Sequence, residues 1–267
     1  MARICIGFFG FIRNSINYET FNQFKQLLPT NSILDIFITC PNKVNEYDDP
    51  LSAIDMQSNI IKDIYATFGT CNVYIDIYDY DPLIFIKKVR NLHLPDYTSY
   101  PIYRVFSGHF SISRLCRNIT NFARDNNINY KNIILTRFDI IPGVKSLGNL
   151  LEKVDDNNIH IWRRCPYSSD TDAEDRIIIS SMKGVHALED LYEAGNTTGI
   201  DIYETLVPEN ILGRYLSTFH NLIKLPQDGI KLELSPSIKV KYSGNAKDYM
   251  NIMLKKYEEN STTYKCT

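Results

Sequence analysis

The sequence lacks an excess of basic residues. Its 267 residues include 29 lysines and arginines against 31 aspartates and glutamates, which gives a formal net charge of −2. Proteins that bind nucleic acid normally carry a basic excess or a basic stripe, because the phosphate backbone attracts cations. Anionic membrane surfaces likewise attract runs of lysine and arginine, and no such run interrupts this chain. The sequence therefore predicts neither nucleic acid nor an anionic membrane surface as a partner.

Long apolar runs are also missing. A helix that spans a bilayer needs roughly 18 or more consecutive apolar residues, and no stretch of the chain approaches that length. The apolar run Ile4–Phe9 is short, leads to Arg13, and is not followed by the small-residue cleavage site of a secretory signal. We interpret this run as a buried first strand. The sequence predicts a cytoplasmic protein with no signal peptide and no integral membrane segment.

Motifs for zinc binding and for serine or cysteine nucleophiles are absent. The six cysteines lie far apart with no CxxC pair, and the five histidines show no HExxH pattern. No GxSxG sequence precedes a helix. Cys5 and Cys40 lie in apolar runs, where a free thiol behaves as a small core residue. A reducing compartment is the simpler interpretation, and the even number of cysteines leaves disulfides as an alternative.

The first half of the chain alternates apolar strands with amphipathic helices. Continuous apolar runs predict strands that are buried on both faces, whereas helical spacing of apolar residues predicts the helices between them. Residues 79–101 are rich in Tyr, Asp and Pro and receive no assignment. This order predicts an α/β fold with a mostly parallel sheet that helices cover on both faces. The predicted strands are 2–9, 33–39, 73–77 and 131–138, and the predicted helices are 17–28, 52–67 and 106–126.

The second half is more mixed, and the chain is predicted to end in a helix and a frayed tail. Proline at the first turn predicts that a helix starts near Pro208. We expect one domain over residues 1–245, followed by a charged C-terminal helix and polar end over 246–267. The remaining predicted elements are strands at 160–162 and 177–180 and helices over 183–194 and 209–219.

Arg137 and Asp139 lie at the carboxyl end of the predicted strand 131–138 and form the most informative segment. Ligands of open α/β sheets bind outside the carboxyl ends of the strands. Asp139 is a candidate ligand for a divalent cation that bridges two phosphates, and Arg137 is a candidate for bidentate contact with a phosphate. A structural Arg–Asp pair at a strand end is the alternative.

An acidic segment at Asp170–Asp175 directly precedes the predicted strand 177–180. Asp175 is the first candidate for a general base, and Glu174 is the second, because a carboxylate can deprotonate a hydroxyl within hydrogen-bond reach. The alternative is a solvated acidic loop. The Asp-x-Asp strings at 170–172 and 79–81 are weak signals for a metal, since such short strings often occur by chance.

The loop after the first strand contains Gly10 and Arg13. Gly10 allows a nucleotide to approach the backbone, and Arg13 can meet a phosphate. The loop has neither the GxGxxG spacing of a dinucleotide fold nor the GK[ST] of a P-loop, so hydride transfer and nucleoside triphosphate hydrolysis lose support. A glycine turn with a surface arginine is the alternative.

In this order, the segments resemble a group of GT-A-type glycosyltransferases that build surface glycans in bacteria and large DNA viruses, including capsid glycans. The resemblance spans about residues 3–225 and implies a GT-A-like (Rossmann-like) sheet. The matching features are Gly10–Arg13, Asp35-Ile36-Phe37, Arg137-Phe138-Asp139, the acidic strand from Asp175 to Ser181, and Pro208–Leu212.

The resemblance also implies a nucleotide-sugar donor, with UDP-sugars favoured (UDP-xylose, UDP-glucose or UDP-galactose), and dependence on Mn²⁺ or Mg²⁺. Asp139 takes the place of the last acid of the usual Asp-x-Asp motif, whereas Arg137 stands where the first acid belongs. The implied acceptor is a glycan hydroxyl of a surface or capsid glycoprotein. Two alternatives stay open: a non-catalytic nucleotide- or glycan-binding protein of the same fold, and a sugar nucleotidyltransferase.

Overall fold

The computed structural model describes residues 3–12, 18–26, 28–44, 50–69, 71–91, 103–138, 140–144, 148–162, 174–194, 208–224 and 230–234. The strands are β1 (Arg3–Phe9), β2 (Ile33–Pro41), β3 (Asn72–Tyr78), β4 (Asn132–Arg137), β5 (Ile140–Val144), β6 (Asn158–Trp162), β7 (Glu174–Ser180), β8 (Asn221–Lys224) and β9 (Ile230–Leu234). The helices are α1 (Tyr18–Gln26), α2 (Ala53–Phe68), α3 (Pro82–Asn91), α4 (Tyr103–Asp125), α5 (Gly148–Leu151), α6 (Met182–Leu188), a 3₁₀ turn (Leu191–Glu193) and α7 (Pro208–Ser217).

The protein has the predicted α/β architecture, with a mostly parallel sheet flanked by helices in one domain. Seven strands form the sheet in the order β3-β2-β1-β4-β7-β6-β8. The neighbours β3-β2, β2-β1, β1-β4 and β6-β8 are parallel, whereas β7 runs antiparallel to both β4 and β6. Strands β5 and β9 pair in a separate two-stranded sheet. The predicted boundary at residue 245 and the tail 246–267 lie outside the described residues.

Two hydrophobic cores cover the two faces of the sheet, which explains the continuous apolar runs of the central strands. Alternate residues of β1 enter opposite cores: Ile6 joins the core with α1, α2 and α5, while Cys5 joins the core with α3, α4, α6 and α7. Helix α4 packs closely on the sheet at Gly7. A Cβ atom there would stand 2.7 Å from a terminal carbon of Leu115 in α4 and 2.9 Å from one of Leu135 in β4, so a larger residue would force these leucines to shift.

The chain reverses its direction of winding between β1 and β4. It proceeds outward from β1 to β2 and β3 through α1 and α2 on one face, and returns through α3 and α4 on the other face to place β4 beside β1. The gap between β1 and β4 is therefore the topological switch point of the sheet, where open α/β proteins bind ligands outside the carboxyl ends of the strands.

Helix α3 lies in the segment 79–101, which the composition left unassigned. Asp81 Oδ1 accepts a hydrogen bond of 2.9 Å from the Leu83 backbone N–H, which caps the first turn. Pro82 is the first residue of the helix, a position that suits proline because its missing N–H has no partner there anyway. The predicted helix 183–194 is shorter than expected: α6 ends at Leu188, and the 3₁₀ turn follows.

Two histidines are buried, His160 in β6 and His220 directly before β8. His160 and His220 are 3% and 7% exposed, and His160 Nε2 and His220 Nδ1 have no hydrogen-bond partner among the described residues. Burial lowers the pKa of both imidazoles. The positive charges of Lys153 and Lys183 also lower the pKa of His160 and His220, respectively. Hydrogen bonds to backbone carbonyls and nearby aspartates raise the two pKa values and offset part of this decrease.

We expect the free energy of unfolding to fall as the pH drops below about 6.5, the usual histidine pKa. The unfolded chain takes up protons at these two sites at a higher pH than the folded chain does, so the stability is present above that pH and is lost as acid protonates the imidazoles. Urea unfolding at pH 7.5 and 5.5 measures the effect. His160→Gln should reduce the pH dependence, whereas His186→Gln, at a surface histidine 2.8 Å from Glu189 Oε1, is the control. Equal pH dependence in the two variants would contradict the assignment.

Candidate functional site

The carboxyl ends of β1, β2, β3 and β4 lie along one edge of the sheet, because these strands are parallel. The register pairs Phe9, the last residue of β1, with Arg137, the last residue of β4. Gly10 and Arg137 therefore flank the switch point. The structure thus brings together two residues that the sequence placed 127 positions apart (137 − 10).

Gly10 turns the chain away from β1 and leaves space above the sheet. Its φ of +87° is a conformation that side chains rarely adopt, so the turn requires glycine. The turn is held by a hydrogen bond of 3.2 Å from the Gly10 N–H to the Thr39 carbonyl. Among the described residues, a Cβ atom built on Gly10 would meet no heavy atom within 4 Å. The predicted approach of a ligand to the Gly10 backbone stays a prediction.

The end of β4 is anchored by an aromatic contact. Phe138 is 2% exposed and stacks on Phe8 of β1, with ring centroids 5.6 Å apart and an interplanar angle of 21°. Arg137, directly before it, is half-buried. This packing fixes the chain at the switch point on both sides of the β1–β4 pair. Asp139 and Arg13 lie outside the described residues, so their predicted roles stay predictions.

Strand β7 brings an acidic pair to the same edge. Because β7 is antiparallel to β4, with Thr136 opposite Ile177, its first residues lie beside the carboxyl end of β4. Those first residues are Glu174 and Asp175. The structure describes the backbone of both residues at this edge, and their role as a base stays a prediction. The preceding residues, Asp170 and Asp172, are outside the described part of the chain.

Hydrogen bonds join the loops that follow β2 and β3 at this edge of the sheet. Asn42 Nδ2 donates to Asp79 Oδ1 at 2.9 Å, and the Tyr80 N–H donates to Asn42 Oδ1 at 3.2 Å. Phe11, from the Gly10 loop, packs edge-on against Tyr80 with centroids 5.0 Å apart. Both carboxylates of the string Asp79-Tyr80-Asp81 therefore have structural roles: Asp79 accepts a hydrogen bond from Asn42, and Asp81 caps α3. Sequence reasoning missed Asn42, Phe11 and Tyr80, because no motif marks contacts between loops.

The described residues do not by themselves provide a divalent-metal site. Among them, no group of three or more His, Cys, Asp or Glu side chains could hold a metal ion. The predicted ligand Asp139 is not among these residues, so binding of Mn²⁺ or Mg²⁺ stays a prediction. We derive no chemical step through a metal.

No helix within the described residues combines the length and the apolar character needed to cross a membrane. No protein-family model matches the sequence, and no curated protein matches it.

Several solved structures have a similar fold over 84% of this chain, at low similarity. The apo bifunctional glycosyltransferase WbbM has 14% identity and a TM-score of 0.44, and 38% of its length is covered. A glycosyltransferase involved in glycosylation of the major capsid of PBCV-1 has 8% identity and a TM-score of 0.38, with 82% covered. The glycosyltransferase GlyE of Streptococcus pneumoniae TIGR4 has 12% identity and a TM-score of 0.40, with 46% covered. The chain thus spans less than half the length of WbbM and GlyE, and likeness at this level assigns it neither a family nor an activity.

Proposed function

We propose that the protein is a glycosyltransferase that binds a nucleotide-sugar donor at the β1–β4 switch point and transfers the sugar to a glycan hydroxyl. The observation that carries the proposal is the register of Phe9 with Arg137, which places the Gly10 turn and Arg137 at the carboxyl ends of two neighbouring strands on either side of the switch point. A glycine turn that exposes the backbone and a guanidinium suit a diphosphate. The resemblance of the ordered motifs to GT-A-type enzymes supports the choice of glycosyl transfer over other uses of this switch point.

In the proposed reaction, the bond between the sugar's anomeric carbon and the diphosphate oxygen breaks, and a bond from the acceptor oxygen to the same carbon forms. Negative charge develops on the departing diphosphate. Arg137 and Arg13 stabilise that charge, and stabilisation of developing charge is usually the largest contribution to catalysis. The acceptor hydroxyl loses its proton to Asp175 or Glu174 at the neighbouring end of β7. We favour a UDP-sugar as donor and a surface or capsid glycoprotein glycan as acceptor.

A thermal-shift panel of nucleoside diphosphates and nucleotide sugars tests the donor site, with each ligand measured in Mn²⁺, in Mg²⁺ and in EDTA. A ligand at about 100 times its Kd adds roughly 2.7 kcal/mol to the free energy of unfolding, which raises Tm by several degrees in a domain of this size. We expect one nucleotide base to give this shift. A shift that disappears in EDTA would support a metal at Asp139, whereas one that survives would support arginine in its place.

Variants locate the site. Arg137→Ala and Asp139→Ala should each reduce the nucleotide shift, and Asp139→Ala should also abolish transfer while the fold persists. Arg124→Ala is the matched control, since Arg124 is 69% exposed at the end of α4. The absence of a shift with every nucleotide, or an Asp139→Ala protein with full activity, would overturn the proposal. Nucleotide binding without consumption of the donor would identify a non-catalytic binding protein, and synthesis of the nucleotide sugar would identify a nucleotidyltransferase.

A further inference from the structure

A groove of about 270 Å³ lies away from the switch point, beside the edge strand β3. Its floor comes from β2 and β3 and its wall from α4. Tyr74 and Asp76 lie two residues apart on one face of β3, and Asn118, Asn121 and Phe122 share one face of α4. Phe37 of β2 also lines the groove. Ile38 and Ile75 border it too, while their side chains belong to the core on the opposite face of the sheet.

One side of the groove is aromatic. Phe37 stacks on Tyr74 with centroids 4.7 Å apart and an interplanar angle of 21°, and the Phe122 ring centroid is 4.2 Å from that of Tyr74. Tyr74 is half-buried and therefore keeps part of its surface on the groove. An aromatic surface of this kind offers an apolar contact for the C–H face of a sugar ring.

The other side is polar and held in place by hydrogen bonds. Arg114 Nε and Nη2 donate to the two Asp76 carboxylate oxygens at 2.5 and 2.8 Å. Asn118 Nδ2 donates to Asp76 Oδ2 at 2.8 Å and to Thr39 Oγ1 at 3.3 Å. This network orients the Asn118 amide, and the exposed Asn121 adds a second amide to the rim. Because both Asn118 N–H groups are used in this network, Asn118 offers a ligand its Oδ1 as an acceptor. Asn121 Oδ1 accepts from Arg124 Nη2 at 3.0 Å, so Asn121 offers its Nδ2 as a donor. Hydroxyl groups of a ligand can match both.

The electrostatics favour a neutral ligand. Asp76 is the one acidic or basic side chain among the eight residues that line the groove, and Arg114 neutralises it by the bidentate pair. Burial by itself raises the pKa of Asp76, but the hydrogen bonds from Arg114 and Asn118 outweigh it and lower that pKa, so the pair stays ionised at neutral pH. No cation remains in the lining to attract a phosphate. The volume lies just below the range of about 300–1,000 Å³ for drug-sized ligands, which suits one sugar ring and is too small for a nucleotide.

We propose that this groove is a carbohydrate subsite that binds one neutral pyranose, with the sugar's apolar face on the Tyr74 wall and its hydroxyls on Asn118 and Asn121. Thr39 connects the groove to the switch point, because its side chain accepts from Asn118 and its carbonyl accepts from Gly10. The bound pyranose is therefore a residue of the acceptor glycan, remote from the transferred sugar. This last assignment rests on the proposed function, whereas the binding of a neutral pyranose does not.

The test uses the full chain without nucleotide and the methyl pyranosides of glucose, galactose, mannose and xylose as probes. Titrations are followed by the side-chain amide signals of Asn118 and Asn121 in ¹H–¹⁵N NMR spectra. We expect at least one pyranoside to shift both signals, and inorganic pyrophosphate to shift neither. Asn121→Ala and Tyr74→Leu should each weaken binding about threefold to tenfold. The controls are Asn59→Ala and Tyr65→Leu, at exposed positions of α2 on the opposite face of the sheet, and they should not weaken it.

Three results would overturn the proposal: no pyranoside shifts these amides, pyrophosphate shifts them as strongly, or Asn121→Ala binds as tightly as the unaltered chain. Asn121 is exposed on a surface helix, so its replacement should leave the fold intact even if Tyr74→Leu does not fold. The nucleotide panel separates this proposal from the proposed function. Pyranoside binding without any nucleotide-induced shift would support the carbohydrate subsite and contradict the proposed transferase function. Nucleotide binding without pyranoside binding would support the transferase function and contradict the subsite.

Discussion

Replacing Asp35 with asparagine is expected to lower the free energy of unfolding by about 3 kcal/mol, because the buried carboxylate that accepts from three side chains loses its charge, and the partly exposed Arg3 loses its partner. The Asp35 side chain is fully buried and accepts hydrogen bonds from Arg3 Nε (2.5 Å) and Nη2 (3.2 Å), Asn72 Nδ2 (2.6 Å) and Tyr130 Oη (2.6 Å). These bonds join β1, β2, β3 and the approach to β4 at the amino edge of the sheet, opposite the candidate site. The expected decrease in Tm is roughly 6–12 °C.

Two comparisons check this explanation. Tyr130→Phe removes one donor and leaves the charge paired, so its cost should be smaller, about 1–2 kcal/mol. Asp125→Asn removes the carboxylate of an exposed pair, where Arg124 Nε lies 3.2 Å from Asp125 Oδ1, and should cost less than about 1 kcal/mol. Urea unfolding of the three variants at pH 7 measures the order. An Asp35→Asn protein as stable as Asp125→Asn would show that the network contributes little.

The same network predicts how stability responds to acid. Burial alone raises the pKa of Asp35, but the hydrogen bonds from Arg3, Tyr130 and Asn72 together outweigh it and lower the pKa below its usual range. The unfolded chain therefore binds this proton at a higher pH than the folded chain does. The stabilisation is present above the unfolded pKa of about 3.9 and disappears as the pH falls through the folded pKa. This loss begins at a lower pH than the loss expected from His160 and His220.

Removing the proposed base is expected to slow sugar transfer by about 10²–10⁴-fold, the usual contribution of general base catalysis. Asp175→Asn is the first variant to measure and Glu174→Gln the second, because both residues begin β7 beside the carboxyl end of β4. A base acts on the acceptor hydroxyl and not on the donor. The nucleotide-induced thermal shift should therefore stay unchanged in the variant that loses activity, which separates loss of chemistry from loss of the fold.

The matched control is Asp190→Asn, whose carboxylate is 74% exposed and lies 3.7 Å from Arg117 Nη2 at the protein surface. It should transfer sugar at the unaltered rate. The assay follows donor consumption together with formation of the glycosylated product, since donor hydrolysis alone does not require the acceptor base. If Asp175→Asn and Glu174→Gln both keep the full rate of transfer, the base lies elsewhere, and these carboxylates belong to a solvated acidic segment.

The amino-acid sequence by itself determined the strands of the first half of the fold and its helices except α3. The run 33–39 became β2 (Ile33–Pro41), and the amphipathic stretch 106–126 became α4 (Tyr103–Asp125). These elements are encoded locally, because a strand buried on both faces needs a continuous apolar run and a helix on a sheet needs apolar residues at helical spacing. The segment of α3 has capping signals at Asp81 and Pro82, but the segment is rich in Tyr, Asp and Pro, and no helix was predicted there.

The sequence also identified Gly10 and Arg137 as candidate site residues, from glycine in a loop and a charge at a strand end. Only the tertiary structure decided that they lie at the ends of neighbouring strands, since this depends on the return of the chain through α3 and α4 to place β4 beside β1. It also decided that β7 runs antiparallel and brings Glu174 and Asp175 to that edge. Strand order and direction result from packing between distant segments, which local periodicity does not encode.

The groove beside β3 and the Asp35 network depend on tertiary structure even more strongly. Tyr74 and Asp76 become neighbours of Asn118 and Asn121 only when α4 packs across the sheet, and Asp35 meets Tyr130 across 95 residues of sequence. Each of these side chains is unremarkable in its own segment. Local pattern determines which residues are buried and in which kind of element, whereas the burial of whole faces against each other determines which polar groups share a site.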